Sequence, residues 1–371
     1  MFIDQDTVTT TSNTETTIMR YLATFILCLI MATPAAAKSF VYASNGGDNF
    51  LSVFEMNEDT GELTKLADQE IGGSPGPMWV SQDKKHVYIS IRKDAQLGAY
   101  RLNADTGAFT LINKVDTGAG ASYVALDKTG TCLLGAYYQA GKVTVHRVNK
   151  DGSIAEKGFE VATEQKAHAI QTDPSNQFAL VPHTGPNNTY QFRLNVDKAE
   201  LTANSPPTAP APEGTEPRHL QFHPNRTLVY TSDEKADSIS SYRFNKKKGT
   251  IKHVQTVSTL PDDFDNDANS CADIEISANG KFAFVSNRGH NSIAVFALDK
   301  DGKITALGQT PTEAIPRSFN IAPNQKFLYA AGQKDGKLVA FKLNDQTGKL
   351  TRFATYDLGK SPSWVQVITV D

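Results

Sequence analysis

The chain has 371 residues, with 37 Lys and Arg against 40 Asp and Glu, a formal net charge of −3 and a hydrophobic share of 39%. That near-neutral balance gives no electrostatic reason to expect a nucleic-acid partner or an acidic membrane. Such a length often means two domains, but no linker divides this chain, and an internal repeat accounts for it as one ring.

The N-terminus reads as an address. Residues 1–18 are Thr-rich and lack any apolar pattern, as in a leader without structure or an upstream translation artefact. From Met19, Arg20 precedes the apolar run YLATFILCLIMAT (21–33) and then Pro34-Ala35-Ala36-Ala37-Lys38. A basic residue, a short apolar core and an Ala-x-Ala end form a secretory signal peptide over 19–37, with cleavage expected after Ala37. The core is too short for a retained anchor. A periplasmic or secreted domain, 38–371, is therefore expected, with no membrane attachment after cleavage. Loss of the leader removes Cys28 and leaves Cys132 and Cys271, far apart in the repeat, as two expected free thiols.

Seven copies of one strand pattern follow. The large residue in the middle of each is Tyr42, Tyr88, Leu134, Leu180, Tyr230, Phe284 and Tyr329, at spacings of 46, 46, 46, 50, 54 and 45 residues. In the fifth copy HLQFHP, TLVYTS, SISSYRF and IKHVQTV read as four strands. Turn signals fall between strands one and two (QDKK 82–85, DKTG 127–130, DPSN 173–176) and between strands three and four (DTG 59–61 and 105–107, KDG 150–152). Such clusters between apolar, β-branched and aromatic runs are hairpin chemistry. No 3.6-residue apolar period is sustained, so almost no helix is expected. Period and strand count together predict an all-β, seven-bladed β-propeller of four-stranded blades.

The first copy begins at its strand two, with Phe40-Val41-Tyr42. The last residues, SPSWVQVITVD (361–371), read like the strand one GPMWVSQDKK (76–85). The C-terminal strand is therefore expected to join the first blade and close the ring, leaving no open edge. A closed ring needs no partner, and a monomer is expected. The Pro-rich stretch 205–217 falls between blades four and five and is expected as a long inter-blade loop. Asp263-Phe264-Asp265-Asn266-Asp267 has the alternating acids of a calcium loop but not its Gly or distal Glu, and reads as a solvated acidic loop.

Two positions of the repeat collect reactive side chains. Twelve residues before each central residue, at the start of strand one, stand Gly76, Ser122, His168, Arg218, Ala272 and Arg317. Four residues after it, past strand two, stand Gly46, Arg92, Tyr138, Thr184, Glu234, Arg288 and Gln333. In an antiparallel hairpin those two points share one face, and strand one is innermost. His168, Arg218, Glu234, Arg288 and Arg317 should thus converge at one mouth of the channel, with His183, one residue short of Thr184, joining them. Guanidiniums around a carboxylate and an imidazole suit an anionic ligand and general acid–base chemistry at an ester or lactone carbonyl. An ion pair between Arg218 and Glu234 that merely ties two strands is the plainer alternative. The remaining histidines show no ligand spacing, and no Gly-x-Ser-x-Gly or Cys-x-x-Cys-His occurs, so neither zinc catalysis, a serine nucleophile nor haem is expected.

EPRHLQFHPN (216–225), CADIEISANGKFAFVSNR (271–288), PTEAIPRSFNIAPNQKFLYAAGQ (311–333) and KSPSWVQV (360–367) closely resemble the propeller-type 6-phosphogluconolactonases. The resemblance extends more weakly from about residue 40 to the end. Its pattern of a His in the fourth blade, then Pro-Arg-His, an acidic residue and Asp/Asn-Arg maps onto His168, Arg218-His219, Glu234 and Arg288, with Arg317 in a later Pro-Arg. It implies metal- and cofactor-free hydrolysis of a small anionic or sugar lactone. Glu234 is then expected as general base and His168 as proton partner, with Arg218 the third catalytic residue and Arg218, Arg288 and Arg317 as carboxylate, phosphate or oxyanion anchors. Arg288, Arg317, His219 and His183 are the expected substrate-binding side chains. Export from the cytoplasm would favour an unphosphorylated aldonolactone. A non-catalytic exported propeller that binds an anion or a protein, and a muconate-type lactonising cycloisomerase, are the other expectations.

Overall fold

Short apolar runs broken by turn residues can bury their faces only by stacking hairpin on hairpin. In the computed structural model, which describes residues 37–264 and 269–370, they do so as seven four-stranded antiparallel sheets. The chain is a seven-bladed β-propeller. The leader and its cleavage site up to residue 36, and Asp265 and Asp267 of the acidic loop, lie outside the described residues.

Blades two to seven cover 75–116, 123–162, 171–210, 217–258, 271–311 and 316–357. The first blade joins both ends of the chain: Pro362–Val370 pairs with Lys38–Asn45, from Lys38 opposite Val370 to Asn45 opposite Pro362. Burial peaks at strand two, with strand one partly open to the channel, and falls outward from there. Strand two is buried throughout, as in Phe178–His183, whereas strand four, as in Leu63–Glu70, is mostly exposed.

Blades are joined by a device that recurs with the repeat. Three of the four central tyrosines donate their hydroxyls to a hairpin glycine carbonyl of the next blade: Tyr42 to Gly107 at 2.8 Å, Tyr88 to Gly152 at 3.0 Å and Tyr329 to Gly61 at 2.7 Å. Two residues before the central position, a side chain packs on that same glycine. A Cβ on Gly249 would lie 2.0 Å from the Phe178 ring, at a φ of +67°. Gly249→Ala is therefore expected to cost about 2–4 kcal/mol, from left-handed strain and overpacking together. Gly214→Ala, at φ +71° with open space around it, should lose only about 1 kcal/mol. Urea unfolding of the two variants checks the difference.

The Pro-rich stretch departs from expectation. Glu200–Pro210 is the eleven-residue outer strand of blade four, so only residues 211–216 connect the blades. An outermost strand is paired on one side alone, and prolines whose missing N–H would face solvent are tolerated there.

A second irregularity prepares the site. The ladder between strands one and two slips at its start in several blades: between Pro217 and His219, between Cys271 and Ile274, and between Pro316 and Ser318. Such bulges re-aim side chains that strict alternation would send to opposite faces. Arg218 and His219 are neighbours in sequence, yet both reach the axis.

Candidate active site

The start of strand one and the exit of strand two do open on one face, and four cations meet there. Arg218, only 2% exposed, donates from Nη1 to the Ala272 carbonyl at 2.6 Å. Its Nε stands 3.7 Å from Glu234 Oε2. Arg288 donates from Nη2 to Glu234 Oε1 at 2.6 Å and to the Cys271 carbonyl at 2.9 Å. Arg317, from blade seven, has no carboxylate within 4.0 Å among the described residues. Its pKa is pushed down to about 10, by burial first and then by Arg288 and Arg92. An arginine left unpaired among other cations awaits an anion.

His219 is fixed as a neutral donor. Its Nδ1 lies 2.8 Å from Asp273 Oδ1 and its Nε2 lies 3.2 Å from Arg218 Nη1. Arg218 can only donate, so Nε2 accepts and the ring proton sits on Nδ1. Burial and then Arg218 drive the His219 pKa down to about 4, against the pull of Asp273. His168 packs edge-on to His219 and Tyr138 with ring centres 5.1 and 5.3 Å apart. Its pKa is pushed well below the ordinary imidazole value by burial, then by Arg218, His219 and Arg317. Burial alone would raise the Glu234 pKa, but Arg218 and Arg288 override it and hold the carboxylate below its ordinary range. At neutral pH the group is therefore two neutral imidazoles, one carboxylate and several guanidiniums. Arg218's own pKa is lowered by burial and by Arg288 and Arg317, yet a guanidinium starts so high that it stays charged.

His168, Arg218, Arg317, Arg92 and Ser363 line a recess of about 10 Å³, room for roughly one water molecule. Arg92 and Ser363 also border a wider vestibule of about 570 Å³, with Lys93, Gln139 and Gln333 along it. The recess is floored by Trp364, which with Tyr123 and His219 closes the channel at its waist. Ring centres there are 5.2 Å (Tyr123–His219) and 5.4 Å (Tyr123–Trp364) apart. Three buried polar atoms of the site make no hydrogen bond among the described residues: His168 Nδ1, and Arg218 Nε and Glu234 Oε2, which face each other at 3.7 Å, beyond hydrogen-bond reach. Buried groups normally find one, so orphans in one cluster mark where a ligand supplies the contact.

His168, Arg218, His219, Glu234, Arg288 and Arg317 are thus brought together, whereas His183 is not. The alternation of its strand turns it outward, where Nδ1 faces the Val181 carbonyl and Nε2 faces Thr163 Oγ1, each at 3.0 Å. Its ring packs on Tyr190. Arg92 stood at the same repeat position as Arg288 in the sequence but was not carried into the expected site. Sequence reasoning left out Asp273, Tyr123 and Trp364, which stand one residue past the strand-one starts.

A family described as "Lactonase, 7-bladed beta-propeller" matches residues 40–367. Proteins named 6-phosphogluconolactonase from Yersinia enterocolitica and from an Enterobacter species are 30% and 31% identical to this chain. Each alignment covers 89% of this chain and 98% or 99% of the relative. A Bacteroides fragilis crystal structure superposes with a TM-score of 0.81 at 25% identity, over 91% of this chain and 99% of its own. The Pseudomonas aeruginosa periplasmic gluconolactonase shares the fold, with a TM-score of 0.82 at 22% identity, over 91% of this chain and all of its own.

Proposed function

This chain belongs to the seven-bladed β-propeller lactonase family, among relatives that are 6-phosphogluconolactonases, and we propose that it hydrolyses a sugar lactone in the recess around His168. The observation that carries the reading is His168 Nδ1, buried without a hydrogen-bond partner among the described residues, beside an Arg218–Glu234 contact stretched to 3.7 Å and an Arg317 with no carboxylate within 4.0 Å there. The lactone ring lies in the vestibule with its carbonyl oxygen directed at Arg218 and Arg317. Water attacks the carbonyl carbon, His168 takes the proton, and the guanidiniums stabilise the oxyanion as it forms. The carbon–oxygen ring bond then breaks, and His168 returns the proton to the leaving ring oxygen, giving the open hydroxy acid.

Expectation from sequence made Glu234 the base and His168 its partner; the geometry supports the exchanged assignment. His168 borders the recess and is unprotonated, whereas Glu234 is held below its ordinary range and commits Oε1 to Arg288. Glu234 then acts by holding Arg218 and Arg288 in place. The signal-like leader supports a periplasmic or secreted enzyme, and with it an unphosphorylated aldonolactone.

Acid release from glucono-1,5-lactone and from its 6-phosphate tests the reading. Turnover of at least one, saturable and well above spontaneous opening, is the expected result. Binding of both without turnover would leave an anion-binding propeller instead.

A further inference from the structure

The axial channel has a second compartment that lactone hydrolysis does not use. Beyond the waist of Tyr123, His219 and Trp364 lies a chamber of about 380 Å³, within the size range of about 300–1,000 Å³ of small-molecule sites. Lys84 and Lys128 stand at its mouth, in the turns between strands one and two. It therefore opens on the face opposite the arginine recess.

Its wall is a single layer of the repeat. Three residues past the Arg218 position, about 10 Å along the strand, come Trp79, Gln221, Glu275, Asn320 and Gln366. Asn320 Nδ2 donates to Glu275 Oε1 at 2.9 Å, and Gln366 Nε2 to Asn320 Oδ1 at 3.4 Å. The Gln221 amide makes no side-chain hydrogen bond among the described residues. Burial, and then the charge of Asp273, push the Glu275 carboxyl up to about 8, so near neutral pH it offers a hydroxyl as well as a carbonyl. Trp364, 8% exposed, keeps its indole N–H buried without a hydrogen-bond partner among the described residues. Trp79 presents a partly exposed ring beside Tyr123, with ring centres 6.3 Å apart. Paired amide donors and acceptors, an un-ionised carboxyl and flat aromatic walls match one chemistry: several hydroxyls on a carbon skeleton whose C–H faces lie on the rings. Neither Lys84 nor Lys128 has a carboxylate within 4.0 Å among the described residues, so the mouth also accepts an acidic end.

We propose that this chamber binds a small polyhydroxylated ligand, of sugar or sugar-acid size, stacked on Trp79 and hydrogen-bonded by Gln221, Glu275 and Asn320. The site is separate from the lactone recess, and its occupancy does not depend on the hydrolytic reading.

The chain has two tryptophans, and both line this chamber. Trp364 also borders the recess, whereas Trp79 does not. In the Trp364→Phe variant, indole emission therefore reports the chamber alone. Titration with D-gluconate and with D-glucose is expected to give a saturable emission change with at least one of them. Gln221→Ala should weaken that binding about tenfold, the worth of roughly one hydrogen bond, and leave lactone turnover unchanged. Should Trp364→Phe fail to fold, the difference between parent and Trp79→Phe isolates the same indole. No saturable change with either compound, or equal affinity after Gln221→Ala, overturns the proposal. Failure of the lactone assay alone leaves it standing.

Discussion

His168→Asn is expected to lower kcat by about 10²–10⁴-fold, the usual worth of a positioned general base, with KM nearly unchanged. Asparagine keeps a polar group in the recess but cannot take a proton from water. Glu234→Gln should act differently, because its carboxylate serves mainly through Arg218 and Arg288. It is expected to lose about 10–100-fold in kcat/KM, with KM rising as the guanidiniums loosen. The pH profile separates the two roles. Reaction needs the unprotonated imidazole, so activity falls as pH drops through the His168 pKa. Burial and the neighbouring cations place that pKa well below the ordinary imidazole value. The plateau should therefore continue below pH 6, where an ordinary histidine would already be protonated. Near-complete loss of kcat in Glu234→Gln, with His168→Asn still active, would return the base's role to Glu234.

Most of the fold was legible because a period of about 46 residues can be read without knowing any single strand's partners. The closing strand was legible for the same reason: 361–371 repeats a strand one that the first copy lacks. The site was legible wherever side-chain chemistry coincided with a repeat position, as for His168, Arg218, Glu234, Arg288 and Arg317. One residue further on only the resemblance named His219, and Asp273, Tyr123 and Trp364 went unnamed. Regular alternation would turn Asp273 and His219 away from a neighbour that faces the axis, and only the slipped ladder brings consecutive residues to one place. Conversely, His183 obeys alternation in its strand and points outward, so nearness in sequence to Thr184 misled. The prolines at 206, 207 and 210 read as a loop because composition does not distinguish an outermost strand from a connection. Asp273 matters through its contacts: it orients His219, which in turn accepts from Arg218. No spacing rule would have singled it out.

Ending the chain after Ser361 is expected to abolish cooperative folding. The lost strand buries Trp364, Val365, Val367, Ile368 and Val370, each 8% exposed or less. At about 1.5–3 kcal/mol per buried apolar side chain, that removes roughly 8–15 kcal/mol, the whole stability of a typical domain. The strand also serves two apolar clusters at once. Val365 and Val367 pack with Phe54 and Tyr329, whereas Trp364 and Ile368 pack with Phe40 and Tyr42. Without it, Phe40, Val41 and Tyr42 present an unpaired inner edge, and blade seven loses its neighbour, so the damage is not confined to blade one. Circular dichroism of the shortened chain should show no sharp thermal transition, and a synthetic 361–371 peptide should restore one in a concentration-dependent way. Ile368→Ala, which keeps the strand but empties part of its core, should cost only about 2–4 kcal/mol. A shortened chain that melts cooperatively at the parent's midpoint would mean that six blades and a partial seventh hold the ring without closure. In that case the pairing of Lys38–Asn45 with Pro362–Val370 would contribute to the site, by placing Ser363 and Trp364, more than to the fold.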